Sequence, residues 1–241
     1  MERSRTEHSV RNTTAAMVSK IVAILMGFVT RVVFTHCLSE SYVGVNGLFS
    51  DVLNVLALSE LGVGTAITYA LYKPIAEGDF ERQKSLMKMY RRFYRIVAGI
   101  VLAGGLAVIP FMDVLIRHQP EVDHLILIYL MYLANSVLSY LLIYKKTLID
   151  AHQLSYIGEI YQMIFLLIQD TLQIILLLTT HNFILFLVIY ILCTLGNNIS
   201  ISRKANRLYP YLKEKDIQPL DPEERKGLFK NIRAMLMHKI G

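Results

Sequence analysis

The chain has 241 residues, 54% of them hydrophobic and only 18% charged, with a mean hydropathy of +0.43. A soluble domain carries about 25% charged residues, so the composition argues against an ordinary soluble enzyme or binding module. The net charge of +6 would suit a nucleic-acid partner, but the basic residues are sorted by segment in the manner of membrane topology, and no nucleic acid is expected.

Six apolar stretches have the roughly 20-residue length that spans a bilayer core of about 30 Å: 13–36, 44–72, 96–116, 125–144, 153–178 and 184–202. Lys20, Arg31 and Arg117 aside, every Lys and Arg lies in the N-terminus, in 73–95, in 145–152 or in the tail 203–241. Basic segments stay cytoplasmic. The chain is therefore expected to be a multi-pass protein of the cytoplasmic membrane with both termini on the cytoplasmic side and short outer loops at 37–43, 117–124 and 179–183. The expected fold is all-α. Six transmembrane helices form one bundle over 1–202, with two amphipathic cytoplasmic helices, the second in a linker over 203–241. The first apolar run is broken by Lys20 and Arg31 and has no small-residue cleavage site, so it is expected to stay as an anchor.

In the first span Lys20 and Arg31 are eleven residues apart. At about 100° per residue that is about 20° of rotation, so the two cations share one face. An ionisable group inside a span marks a functional site by default; the alternative reading of both cations is snorkelling to the nearer interface, equally weighted for Lys20. Folding the second span back on the first brings Arg31 level with Asp51 and Lys20 level with Glu60. Asp51 and Glu60 point about 180° apart, so a straight helix forms only one such pair. Gly62 and Gly64 are where a distortion is expected. Pro74 and Gly78-Asp79 end this helix, and Asp79 caps a short helix over 80–95. There Phe80, Met87, Tyr90 and Tyr94 recur at helical spacing among basic residues, the pattern of an in-plane interfacial helix.

The third span has no polar stripe. His118, Glu121 and His124 are too few for a metal site, and no metal or cofactor is expected. In the fourth span Tyr129, Tyr132, Ser136, Ser139 and Tyr140 fall within an arc of about 100°. In the fifth, Glu159, Gln162, Gln169, Asp170 and Gln173 fall in a similar arc. Helix–helix hydrogen bonds are worth only about 0.6 kcal/mol each, so this many polar groups point to a hydrated cavity. The sixth span adds Tyr190, Thr194, Asn197 and Asn198. In the tail, Asp221-Pro222 opens a helix with Leu228, Phe229, Ile232, Met235 and Leu236 on one side. Cys37 and Cys193 sit far apart in the topology and suggest no disulfide. No grouping of nucleophile, base and acid stands out, and Asp150-Ala151-His152 reads as a solvated turn, so no enzyme is expected.

The run Tyr42-Val43-Gly44-Val45-Asn46-Gly47-Leu48-Phe49-Ser50, followed by Ser59-Glu60-Leu61-Gly62-Val63-Gly64-Thr65-Ala66-Ile67 and Leu71-Tyr72-Lys73-Pro74, resembles the start of bacterial polysaccharide (Wzx-type) flippases. These form the polysaccharide-transport branch of the multidrug/oligosaccharidyl-lipid/polysaccharide exporter superfamily. The resemblance continues through 82–95 and more loosely along the whole chain. It implies two pseudo-symmetric bundles around a cavity open to one side at a time. The cargo it implies is an undecaprenyl-pyrophosphate-linked oligosaccharide. Only the first six-helix bundle is represented, so a second half is expected from a longer chain or a partner. A related lipid II flippase has a cavity arginine just after a Gly-Phe pair. Here Gly27-Phe28 precedes Arg31 with one residue more of spacing, and the resemblance assigns Arg31 to the pyrophosphate.

Under this reading Lys20, Arg31, Tyr132, Ser136, Gln162, Gln169 and Gln173 contact cargo. Asp51, Glu60, Glu159 and Asp170 are candidates for a coupling ion or for charge pairs. A cation-coupled multidrug exporter of the same superfamily would want a more apolar-aromatic cavity. A membrane-embedded glycan ligase or polymerase would want catalytic groups on a sizeable outer loop, and each loop here is under ten residues.

Overall fold

A computed structural model describes residues 5–57, 63–112, 122–214, 217–223, 225–230 and 234. Among these there is no β-strand. The helices are α1 (Arg5–Cys37), α2 (Glu40–Ala57), α3 (Val63–Glu77), α4 (Phe80–Val108), α5 (Leu125–Ala151), α6 (Ser155–Thr180) and α7 (Phe183–Leu208). A 3-10 turn, Ile109–Phe111, extends α4, and another, Pro210–Lys213, follows α7. Among the described residues five helical stretches are long and apolar enough to cross a membrane: Thr6–Cys37, Phe80–Phe111, Leu125–Ala151, Ser155–Thr180 and Phe183–Leu208.

Helix α5 is the centre of the bundle. It packs against α7, α4 and α3, while α6 packs against α1 and α7. Its contact with α4 is close because Gly105 has no side chain. A Cβ there would lie 2.3 Å from a δ-carbon of Leu133, and the Gly105 carbonyl accepts a hydrogen bond from the Tyr129 hydroxyl at 2.8 Å. Small residues allow such approach where helices associate by packing. Helix α1 lies at the edge. Only 6% of its most apolar stretch is buried, and Met17, Ile21, Ile24, Leu25 and Phe28 are exposed. A contiguous apolar face of that size is untenable in water and natural in hydrocarbon. The end of the bundle where α1 and α6 finish, and α5 and α7 begin, is called the upper end below.

Four expectations from sequence change here. Of the two expected helix ends, Pro74 is not one and Gly78 is: α3 runs through Pro74 to Glu77 and stops at Gly78, whose φ of +68° is the left-handed region that ends helices. The freed Pro74 carbonyl accepts from the Asp79 amide (2.9 Å) and from Gln83 Nε2 (3.1 Å). Residues 80–95 are not a separate in-plane helix. Asp79 does cap them, accepting from the Arg82 amide at 2.9 Å, but no breaker interrupts the run, so they form the first half of α4. Their polar residues Gln83, Lys84 and Ser85 are buried under the segment that follows α7. Residues 145–151 are helical rather than loop, since α5 continues to Ala151. Finally, α2 does not lie along α1 as a hairpin. It packs on α4 and α5 and touches α1 only slightly. Residues 58–62, with Glu60 and Gly62, lie outside the described residues, as do Arg117, His118 and Glu121. In the tail, residues 222–223 and 225–230 are helical, with the Asp221 carboxylate accepting from the Glu223 amide at 3.2 Å and Leu228 buried. Ile232, Met235 and Leu236 are outside the described set.

Candidate functional site: a polar groove along the central helix

Three cavities follow one another down α5. The upper one, about 300 Å³, lies among five helices. Helix α1 contributes Gly27, Thr30, Arg31 and Phe34, which recur at the i, i+3, i+4, i+7 spacing of one helical face. Helix α2 contributes Asn46 and Ser50, α5 Tyr132, α6 Gln169, Asp170 and Gln173, and α7 Phe186 and Tyr190. The second cavity, about 590 Å³, shares Gln169 and Tyr190 with the first. It is walled by Ser139, Tyr140 and Ile143 of α5, Gln162 and Phe165 of α6, and Thr194, Asn197 and Asn198 of α7. The third, about 410 Å³, shares Ile143 with the second and holds Tyr69, Tyr72, Tyr90, Tyr94, Lys146 and Asp150.

The upper cavity is held by its own hydrogen bonds. Gln173, 1% exposed, donates from Nε2 to the Phe186 carbonyl at 3.0 Å and accepts from Gln169 Nε2 at 3.5 Å. The Tyr132 hydroxyl donates to Asn46 Oδ1, and the Ser50 hydroxyl to the Asn46 carbonyl at 2.7 Å. Above them Phe34, Phe183 and Phe186 form edge-to-face and stacked pairs with centroids 5.3–5.7 Å apart, the preferred aromatic geometries. Asp170 is 6% exposed, with the Thr30 hydroxyl and the Gln169 side chain beside its carboxylate. Arg31 is exposed to the cavity, and its guanidinium makes no ion pair or hydrogen bond among the described residues. A planar, permanently charged fork with no protein partner is suited to phosphate or carboxylate.

The lower end is organised differently. Lys146 lies 3.8 Å from both Asp150 and Glu159. The Lys146 stem fills the space at Gly158, where a Cβ would lie 2.4 Å from Lys146 Cε. The Thr147 hydroxyl donates to Tyr90 (3.3 Å), and Tyr90 to Tyr94 (2.9 Å). Lys84, 3% exposed, sits between Glu81 and Glu214 at 2.5 Å each. His152 stacks on Tyr209 with centroids 4.4 Å apart, and burial pushes the imidazole pKa down and the Tyr209 phenol up. Burial also pushes the neighbouring Tyr211 phenol up to about 12. Asn12 holds the turn between α5 and α6, donating to the Gln153 carbonyl and accepting from the Tyr156 amide, both at 2.9 Å.

Of the residues singled out from sequence, Arg31, Tyr132, Gln169, Asp170 and Gln173 share the upper cavity, and Gln162 lines the second. Lys20 shares Arg31's side of α1 by rotation but lies about 16 Å further down; it is exposed and lines none of the three cavities. Ser136 lines none of these cavities, and its carbonyl accepts from the Ser139 hydroxyl at 2.7 Å. Asp51 is exposed and forms no pair with Arg31, because α2 has moved off α1. Glu159 belongs to the Lys146 cluster and not to the groove. Sequence reasoning missed Asn46 and Ser50 as cavity residues, although their i, i+4 spacing marks one side of α2. It also missed Thr30, and Lys146, which it put in a loop.

Fold and site together define an all-helical chain with apolar, membrane-length helices around a row of three polar-lined cavities. No protein-family model, curated protein or solved structure matches the chain.

Proposed function

We propose that this chain is one bundle of a bacterial flippase that moves a lipid-linked oligosaccharide, of the undecaprenyl-pyrophosphate kind, across the cytoplasmic membrane. In this reading α2 and α3 together make the sixth crossing, the lower end is cytoplasmic, and a second six-helix half closes the open side of the groove. The observation that carries it is the meeting of Arg31 from α1, Tyr132 from α5 and Gln169, Asp170 and Gln173 from α6 around one cavity, between helices whose outer faces are apolar. A charge inside a spanning helix is costly to insert, and no protein carboxylate among the described residues offsets that of Arg31, which calls for a ligand.

The cargo has three chemically distinct parts, and the groove has a counterpart for each. The pyrophosphate meets the Arg31 guanidinium, which can grip two phosphate oxygens at once. The sugar hydroxyls meet the amides of Gln162, Gln169, Asn197 and Asn198 and the hydroxyls of Ser139 and Thr194. The tyrosines of the third cavity offer flat apolar faces with a polar rim. The polyprenyl tail stays in lipid beside exposed faces such as that of α1. Asp170, buried with no cation paired to it among the described residues, is the group suited to carry a coupling proton or sodium ion. Translocation proceeds by rocking of the two halves around the site.

The test is Arg31→Ala in cells that depend on the protein for a surface glycan. Lipid-linked oligosaccharide should accumulate on the cytoplasmic face while the variant stays folded in the membrane. Normal surface glycan in that strain would contradict the role given to Arg31. Export of lipophilic cations, lost in the same variant with glycan levels unchanged, would favour a drug exporter instead.

A further inference from the structure

A fourth cavity, of about 400 Å³, lies outside the groove between the first half of α4 and the returning tail, and it shares no residue with the other three. Its charged lining is Lys88 and Arg92 on α4 and Arg225 on the tail helix; among the described residues no carboxylate lines it. Its apolar lining includes Phe93, Ile96 and Phe229. Of the acids on the same two segments, Glu81 and Glu214 are both held by Lys84. Lys88 makes one long contact, 3.4 Å to the Ile217 carbonyl. Neither Arg92 nor Arg225 has a carboxylate partner among the described residues, and Arg225 only overhangs the Phe229 ring at 5.8 Å.

The cavity is graded along α4. The last basic residues, Arg92 and Arg95, give way at Ile96 to a run without charge as far as Phe111. Cations at one level and aromatic and aliphatic side chains on the next turn match the headgroup-to-acyl boundary of a leaflet. From this juxtaposition we propose that the α4–tail cavity binds one anionic phospholipid, its phosphate between Lys88, Arg92 and Arg225 and its acyl chains along Phe93, Ile96 and Phe229. A guanidinium pair grips a phosphate through parallel N–H···O bonds, and basic pockets between helices at a membrane face favour anionic headgroups. A soluble anion would use the cations but leave the apolar half unfilled. A zwitterionic lipid would fill it but leave three cations in excess. Because Arg225 and Phe229 belong to the tail, the lipid also pins the tail to α4, beside the Lys84–Glu214 pair and the 2.5 Å bond from Ser85 Oγ to the Gln218 carbonyl. This inference is independent of what the central groove carries.

The experiment is lipid binding to the full chain in maltoside micelles, read by native mass spectrometry. The probes are dipalmitoyl phosphatidylglycerol, dipalmitoyl phosphatidylcholine and free glycerol phosphate. Phosphatidylglycerol should bind at one saturable site. Arg92→Gln with Arg225→Gln should weaken it about tenfold or more, given about 1 kcal/mol per basic residue near an anionic surface. Arg225→Gln alone, an exposed position whose change cannot unfold the bundle, should weaken it about threefold to fivefold. Arg203→Gln, a basic residue outside the cavity, should leave it unchanged. Equal binding of phosphatidylcholine, equal binding of glycerol phosphate, or undiminished binding in Arg225→Gln would each overturn the proposal.

Discussion

The upper cavity and the lower end both place cations against acids on neighbouring helices, yet they treat their charges in opposite ways. Two lysines at the lower end are matched. Lys84 has Glu81 and Glu214, and Lys146 has Asp150 and Glu159. In the upper cavity Arg31 and Asp170 line the same space without forming an ion pair. Matched charges serve architecture: they tie α4 to the tail and α5 to α6. Unmatched ones are poor architecture, because a buried carboxylate without its cation is costly. They are what a site must have if its partner arrives and leaves. The comparison assigns function to the upper cavity and stability to the Lys84 and Lys146 clusters, and it can be broken by substitutions at each.

The largest expected effect is on transport. Arg31→Ala should lower cargo affinity or flux by about tenfold or more, the factor that corresponds to losing a charge-assisted hydrogen bond of roughly 1.5–3 kcal/mol. Its thermal unfolding should match that of the parent, since the guanidinium makes no bond within the protein among the described residues. Lys84→Met should do the reverse. Glu81 and Glu214 would be left facing one another, so limited proteolysis should cut 209–220 before the bundle unfolds, while Arg31-dependent transport persists in intact molecules. Asp170→Asn sharpens the contrast: transport should fall, and thermal stability should hold or rise, because a neutral amide replaces a buried acid lacking a cation partner. Lys146→Met should cost about 1 kcal/mol of stability at most, its ion pairs being stretched to 3.8 Å and about a quarter exposed.

The smallest effect is a pH dependence at His152. Its folded pKa lies below the ordinary 6.5 because burial disfavours the imidazolium. The unfolded chain therefore takes up the proton first as pH falls. The stability His152 contributes is complete above about 6.5 and is lost as pH drops from there through the lower folded value. His152→Asn should remove that slope from thermal unfolding curves measured between pH 7.5 and pH 5.

What the sequence made legible was periodicity. The Gln162–Gln173 stripe was readable because one helical face repeats every 3.6 residues, and the structure turns Gln162, Gln169, Asp170 and Gln173 toward the groove. Membrane-length helices were readable for the same local reason. What failed were inferences about neighbours. Arg31 with Asp51 assumed that consecutive helices lie side by side, which holds only about two-thirds of the time for consecutive elements; here α1 lies on α6 and α2 on α4 and α5. The separate helix at 80–95 assumed that a basic amphipathic stretch must lie in the interface. Its polar side is instead covered by the tail, more than a hundred residues later, a partner no local pattern reveals. Lys146 was put in a loop because its charge was read as a helix end, when Asp150 and Glu159 allow the helix to continue.

The central claim is that the α6 stripe faces water while its neighbours face hydrocarbon. The most direct measurement is thiol accessibility in membranes, on a chain whose Cys37 and Cys193 are replaced by alanine. Gln169→Cys, on the wall shared by the upper and second cavities, is compared with Ile168→Cys, one residue away and 44% exposed on the outer face. Charged methanethiosulfonates react with the thiolate, which forms only where water reaches. The account predicts fast modification at 169 and none at 168. Equal reactivity, or labelling at 168 alone, would contradict it.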